Sequence, residues 1–159
     1  MKRNRLFFWL KVCLIGAALC GLAACGWLLP EVGEAVVAAY PEFSGWFWPW
    51  LIFLWCAAVP CFGVLACGWR MVSQMARGRV FTRENAGLLG WISRLAAFAG
   101  IFLLAGNLVL FLLSMSHPSV VLALLVGSFA CGAAALAVEA LARFWQEAAR
   151  LQEENALTI

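Results

Sequence analysis

The chain has 159 residues, enough for one domain, and 65% of them are hydrophobic against 12% charged. That balance excludes an ordinary water-soluble globule. The formal charge is only +3, and with one histidine, no aspartate and no C-x-x-C pair among seven cysteines, the sequence offers neither a metal ligand set nor a dithiol motif.

Four apolar runs follow one another: Leu6 to Leu29, Trp46 to Trp69, Trp91 to Met115 and Val120 to Leu141. Each is close to the roughly 20 residues a helix needs to cross a hydrocarbon core of about 30 Å, and no strand alternation is present. The expected fold class is therefore all-α, a bundle of four transmembrane helices. The first run begins with Lys2, Arg3 and Arg5 and contains Leu22-Ala23-Ala24-Cys25, which is similar to a lipoprotein cleavage site. Lys11 interrupts its apolar stretch and hydrophobicity continues through Leu29, so the segment is read as a retained first helix. The connection over 30–45 carries Pro30, Gly33 and Pro41 beside Glu31, Glu34 and Glu42, and reads as an external loop with a short surface helix from Glu34 to Tyr40.

The second run contains Pro60, whose missing N–H leaves the Cys56 carbonyl without its helical donor and predicts a bend. The connection over 70–90 holds Gly78, fit to end one helix, and Thr82, fit to cap the next, with Glu84 in its first turn. Asn107 lies deep in the third run, where an amide seeks partners and either joins helices or lines a ligand cavity. The third connection, Ser116-His117-Pro118-Ser119, forces an antiparallel hairpin. In the fourth run Glu139 is an ionisable group near the end of the span, close enough to Arg143 to pair with it. Alternation of charged and apolar residues beyond Leu141 predicts that this helix continues out of the membrane into a tail over 142–159.

All eleven basic residues lie before or within the first run, around the second connection, or after the fourth run. The first and third connections have none. The positive-inside rule places those two outside and both termini in the cytoplasm, as expected for a multi-pass protein of a bacterial inner membrane. Glu31, Glu34 and Glu42 then give −3 outside, and the remaining residues +6 inside. Such asymmetry is the ordinary membrane signature, and direct nucleic-acid binding is not expected. Trp27, Trp46, Trp48 and Trp50 form one interfacial belt and Trp9, Trp69, Trp91 and Trp145 the other; only Trp55 falls well inside a span.

Read at i, i+4, i+7 and i+11, every span shows a face rich in small residues: Cys13, Ala17, Cys20 and Ala24; Cys56, Pro60, Gly63 and Cys67; Ala96, Gly100, Leu103 and Asn107; Ser128, Gly132, Ala135 and Glu139. In lipid, close packing drives helix association, so these faces are expected to point inward; a homo-oligomer is a separate expectation. No nucleophile with a base, no paired carboxylates and no phosphate loop is found, so no enzyme, catalytic residue, metal or cofactor is expected. The lipid bilayer is the first partner.

Two stretches, Gly78-Arg79-Val80-Phe81-Thr82-Arg83-Glu84-Asn85 and the ending Leu151-Gln152-Glu153-Glu154-Asn155-Ala156-Leu157-Thr158-Ile159, resemble a family of small four-span bacterial membrane proteins of unknown function. Its members carry G-x-x-F-T-x-E-N between the second and third spans and end in L-x-E-E-N-x-L-T-[IV]; Ala156 departs from the acidic residue common there. The resemblance implies proximity to a small cytoplasmic helix-turn-helix regulator, and both motifs fall on the cytoplasmic side.

Phe81, Thr82, Glu84 and Asn85 with Glu153, Glu154 and Asn155 are accordingly the expected partner-binding set. The plainer alternative is that loop and tail brace each other, Asn155 or Glu154 bonding the loop while Thr82 caps a helix. The leading expectation is a non-enzymatic regulatory membrane protein that holds a small DNA-binding regulator. Two others stand beside it: a small transport or protective protein with contacts around Asn107 and Pro60, and a structural subunit of a membrane complex.

Overall fold

A computed structural model describes the backbone of residues 2–157 and the side chains of residues 5–42 and 44–154. All regular structure among the described residues is helical: α1 (Lys2–Ala23), a π-helical turn (Ala24–Leu28), α2 (Leu29–Ala39), a 3-10 turn (Pro41–Trp46), α3 (Phe47–Ala76), α4 (Arg83–Leu112) and α5 (Pro118–Leu157). Four of the resulting helical segments are long and apolar enough to cross a membrane. The protein is a four-helix membrane protein.

The connection over 30–45, expected to hold a short surface helix from Glu34 to Tyr40, is helical over more of its length. α1 runs through the π turn into α2, so the chain stays helical past Pro30 to Ala39. The hydrogen bonds explain how the proline is accommodated. In the π turn the Leu29 N–H reaches the Ala24 carbonyl, one residue further back than in an α-helix. The Cys25 carbonyl, in that register, faces Pro30, which has no N–H to give. Trp55 supplies the missing donor, its Nε1 bonding the Cys25 oxygen at 2.9 Å from α3. A tryptophan within a span thus meets the backbone need that a proline in a neighbouring helix leaves open. Trp27 Nε1 donates to Glu31 Oε2 at 3.2 Å across the same junction.

Helices pack in series: α1 on α3, α3 on α4, and α4 most extensively on α5. The α4–α5 seam follows the small-residue reading. A Cβ on Gly100 would lie 3.0 Å from the Ser128 carbonyl oxygen and 3.1 Å from Cys131 Cβ, so the two backbones approach closely there. Ser93 Oγ donates to the Ala135 carbonyl at 3.0 Å, and Asn107 Nδ2 to the Val121 carbonyl at 3.0 Å. On α3, Gly63 receives Leu95 from α4, and Phe53, pressed against Gly106, stacks on Phe102 at 5.2 Å.

On α1 the stripe reading fails. Cys13, Ala17 and Cys20 are exposed, and the face that meets α3 is instead that of Leu14 and Gly21, Leu14 lying over Gly68 and Phe62 over Gly21. The physical reason is that this contact interlocks large side chains with isolated glycines, so only one helix needs a small residue at each crossing. α3 remains one uninterrupted helix through the buried Pro60.

The start of α1 and the end of α5 lie at the end of the molecule where α3 joins α4, here termed the basic end. At the opposite end the helical extension α2 folds over the α4–α5 turn: Tyr40 stacks on His117 with ring centroids 5.0 Å apart, and His117 Nδ1 lies 2.7 Å from Ser119 Oγ. A partly open pocket of about 50 Å³ lies there among Gly33, Val37, Phe47, Trp50, Met115 and His117.

Candidate functional site

The α3–α4 connection at the basic end is short and closely determined. Gly78 adopts φ +84°, a left-handed conformation open to glycine, and two reversed hydrogen bonds close α3: Gly78 N–H to the Met75 carbonyl at 3.0 Å and Arg79 N–H to the Gln74 carbonyl at 3.2 Å. Thr82 is extended, and its Oγ1 accepts from the Asn85 N–H at 3.2 Å, which is the predicted cap of α4. Three residues after such a cap a glutamate often reaches back to the cap residue's own N–H. Here Asn85 occupies that position and reaches further. Its Nδ2 donates to the Arg79 carbonyl at 2.7 Å and to the Val80 carbonyl at 2.8 Å, and the residue is fully buried.

α5 holds the other side of the loop. Trp145 Nε1 donates to the same Val80 carbonyl at 3.0 Å, and its ring lies against Phe81 with centroids 5.1 Å apart. About two turns beyond, Glu153 Oε2 accepts from Arg83 Nη2 at 2.7 Å and from Nε at 3.1 Å. Close approach of the two helices buries Ala86 and Leu89 on α4 and Ala142 and Ala149 on α5. Further ion pairs run along α5, Glu139 with Arg143 at 3.3 Å and Glu154 with Arg150 at 2.8 Å. The Glu154 carboxylate, bonded to it, pushes the Arg150 guanidinium pKa up.

The expected site residues therefore separate by location. Thr82 and Asn85 serve the backbone of the loop, and Asn85 has no surface to offer a partner. Phe81 is half exposed beside Trp145, while Glu84 and Glu154 are exposed. Loop and tail do meet, through Glu153 and Arg83; the side chain of Asn155 lies outside the described residues. Trp145 and the Arg79 and Val80 carbonyls were not singled out from sequence. A tryptophan N–H beside an aromatic loop residue is the signal that points to them, and belt placement alone conceals it.

In the membrane, Asn107 is buried with its amide nitrogen on Val121 and its Oδ1 making no hydrogen bond. Glu139 is paired with Arg143, as its spacing predicts. All seven cysteines are free, and no group of three metal-binding side chains forms among the described residues.

Residues 31–159 match the family described as "Protein of unknown function (DUF2975)". The chain belongs to the DUF2975 family. It is also 26% identical over 161 residues, the full length of both chains, to "Uncharacterized membrane protein YoaS" of Bacillus subtilis (strain 168). No solved structure matches. The family match covers the α3–α4 loop, the α4–α5 hairpin and the tail, so every feature of the basic-end assembly on these elements lies in the DUF2975 region.

Proposed function

We propose that this DUF2975 protein is a non-enzymatic regulatory protein of the bacterial inner membrane, with its basic end in the cytoplasm, where α5 docks a helix of a small DNA-binding regulator. The observation that carries this reading is the outer face of α5 beyond the apolar run. At 40 residues α5 is about 60 Å long, roughly twice the hydrocarbon thickness. One side of its projecting part turns Ala142, Trp145 and Ala149 to the loop and α4. The other carries Phe144, 74% exposed, Glu147, Leu151, 51% exposed, and Glu154 at spacings of three and four residues.

Apolar anchors flanked by carboxylates on one helical stripe suit a basic amphipathic helix. Helices that read DNA are of that kind, because they carry Lys and Arg for phosphate. The loop acts here as a brace: Thr82, Asn85 and Arg83 fix the direction of α5 so that its outer face is presented. A ligand site around Asn107 and Pro60 has less support, since the Asn107 amide nitrogen is already bonded to Val121 and the proline is buried inside α3.

The test uses the full-length protein in native membranes with Glu147→Lys and Leu151→Lys combined. Both changes lie on the outer face and leave the brace intact. A basic DNA-binding protein that sediments with wild-type membranes should move to the soluble fraction. An unchanged set of membrane-associated DNA-binding proteins, with the variant still folded and inserted, would falsify the docking reading.

A further inference from the structure

Every ion pair among the described residues lies on α4 and α5. α1 and α3 contain no acidic residue at all, yet they bring Arg5, Lys11 and Arg70 to the basic end. One of these cations is fixed in place. Lys11 Nζ sits 5.1 Å from the centroid of the Trp69 ring, a cation–π contact that spans α1 and α3. Arg70, the next residue, is exposed.

Directly below, an open apolar groove of about 220 Å³ follows the seam between the two helices, lined by Leu14, Ile15 and Ala18 of α1 and Phe62, Ala66 and Trp69 of α3. On α1 these lie three, four and seven residues after Lys11, so they continue its face away from the basic end for about 10 Å. A second open groove, lined by Leu22, Cys25, Trp55 and Ala58, adjoins the first at Phe62.

We propose that this seam binds one anionic phospholipid, its phosphate held by Lys11 and Arg70 and an acyl chain lying along the groove beneath Trp69. The parts are complementary in kind and in order. A phosphodiester supplies the negative charge that no side chain of α1 or α3 provides, and the tryptophan ring stands at headgroup level, where such rings settle. General attraction of basic segments to anionic lipid does not require a groove. Here the charge is pinned at the groove mouth, which ties headgroup choice to acyl-chain contact.

The experiment is native mass spectrometry of the full-length protein in non-ionic detergent, titrated with phosphatidylglycerol or with phosphatidylcholine of the same acyl chains. One phosphatidylglycerol should be retained in preference to phosphatidylcholine. Lys11→Gln should weaken retention about five-fold, the effect of one surface cation of about 1 kcal/mol, and Lys11→Arg should keep it. Ala18→Leu, which fills the groove without changing charge, should also weaken retention, whereas Arg150→Gln on α5 should not. Equal retention of the two lipids, or the same effect from Lys11→Gln and Arg150→Gln, overturns the site. Full displacement by glycerol 3-phosphate would show an anion site without a lipid groove, and overturns it too.

Discussion

Asn85 offers the sharpest test of how the basic end is held together. Asn85→Ala removes two hydrogen bonds, those to the Arg79 and Val80 carbonyls at 2.7 and 2.8 Å. Each is worth about 1 kcal/mol net, and neither carbonyl is left without recourse: Val80 keeps Trp145, and Arg79 is exposed to water. The expected loss is therefore about 2 kcal/mol in the local opening of the loop, or roughly 30-fold faster amide exchange. Hydrogen–deuterium exchange on peptides covering 77–90 in detergent or nanodiscs reads this directly. Asn85→Asp sharpens the test, because it keeps the shape but sets a buried acceptor against two carbonyl oxygens. It should be worse than alanine. If aspartate is tolerated better than alanine, or neither changes exchange, the amide is not the anchor of the loop.

Four further outcomes follow from the geometry. Thr82→Ala should cost about 1 kcal/mol in the same exchange measurement, while Arg83→Ala, whose partner is an exposed carboxylate, should cost well under 1 kcal/mol and less still at high salt. Ser114 holds φ +55° at the end of α4, a conformation that disfavours a side chain, so Ser114→Gly should stabilise the α4–α5 turn by about 1 kcal/mol in reversible unfolding. Gly106→Leu should destabilise by about 1–3 kcal/mol in the same assay, because its side chain must displace Phe53 from the Phe102 stack. For sidedness, single cysteines at Ser44 and Ser119 in a cysteine-free background should react with an impermeant thiol reagent from outside whole cells and one at Arg79 should not; the reverse pattern would invert the assigned orientation.

The features legible in the sequence are those set by local chemistry. Gly78 ends α3 and Thr82 caps α4 at the residues where a left-handed position and a side-chain acceptor are needed. The Ser116–Ser119 turn and the long α5 follow from loop length and helical alternation. What escaped is contact between distant residues. Pro30 reads as a helix terminator because the donor that rescues it, Trp55, is 25 residues away in the chain. Cys13, Ala17 and Cys20 read as a packing face because small residues are required in only one of two touching helices, and on α1 the required glycine is Gly21. Within the candidate site, Thr82 and Asn85 were recognisable by type, but their work on the loop backbone is visible only once α5 places Trp145 beside Val80.

The unbroken length of α5 also has a mechanical meaning. The stretch after Leu141 is about 20 Å of rigid rod rooted in the membrane. Pivoting the rod by roughly 10° at its root would carry the Glu153 end sideways by about 3 Å, as far as the Arg83 contact is long. The α3–α4 loop is fastened near the root through Trp145 and near the tip through Glu153. A change in bilayer thickness that tilts α5 would strain the tip fastening first and leave the root one in place.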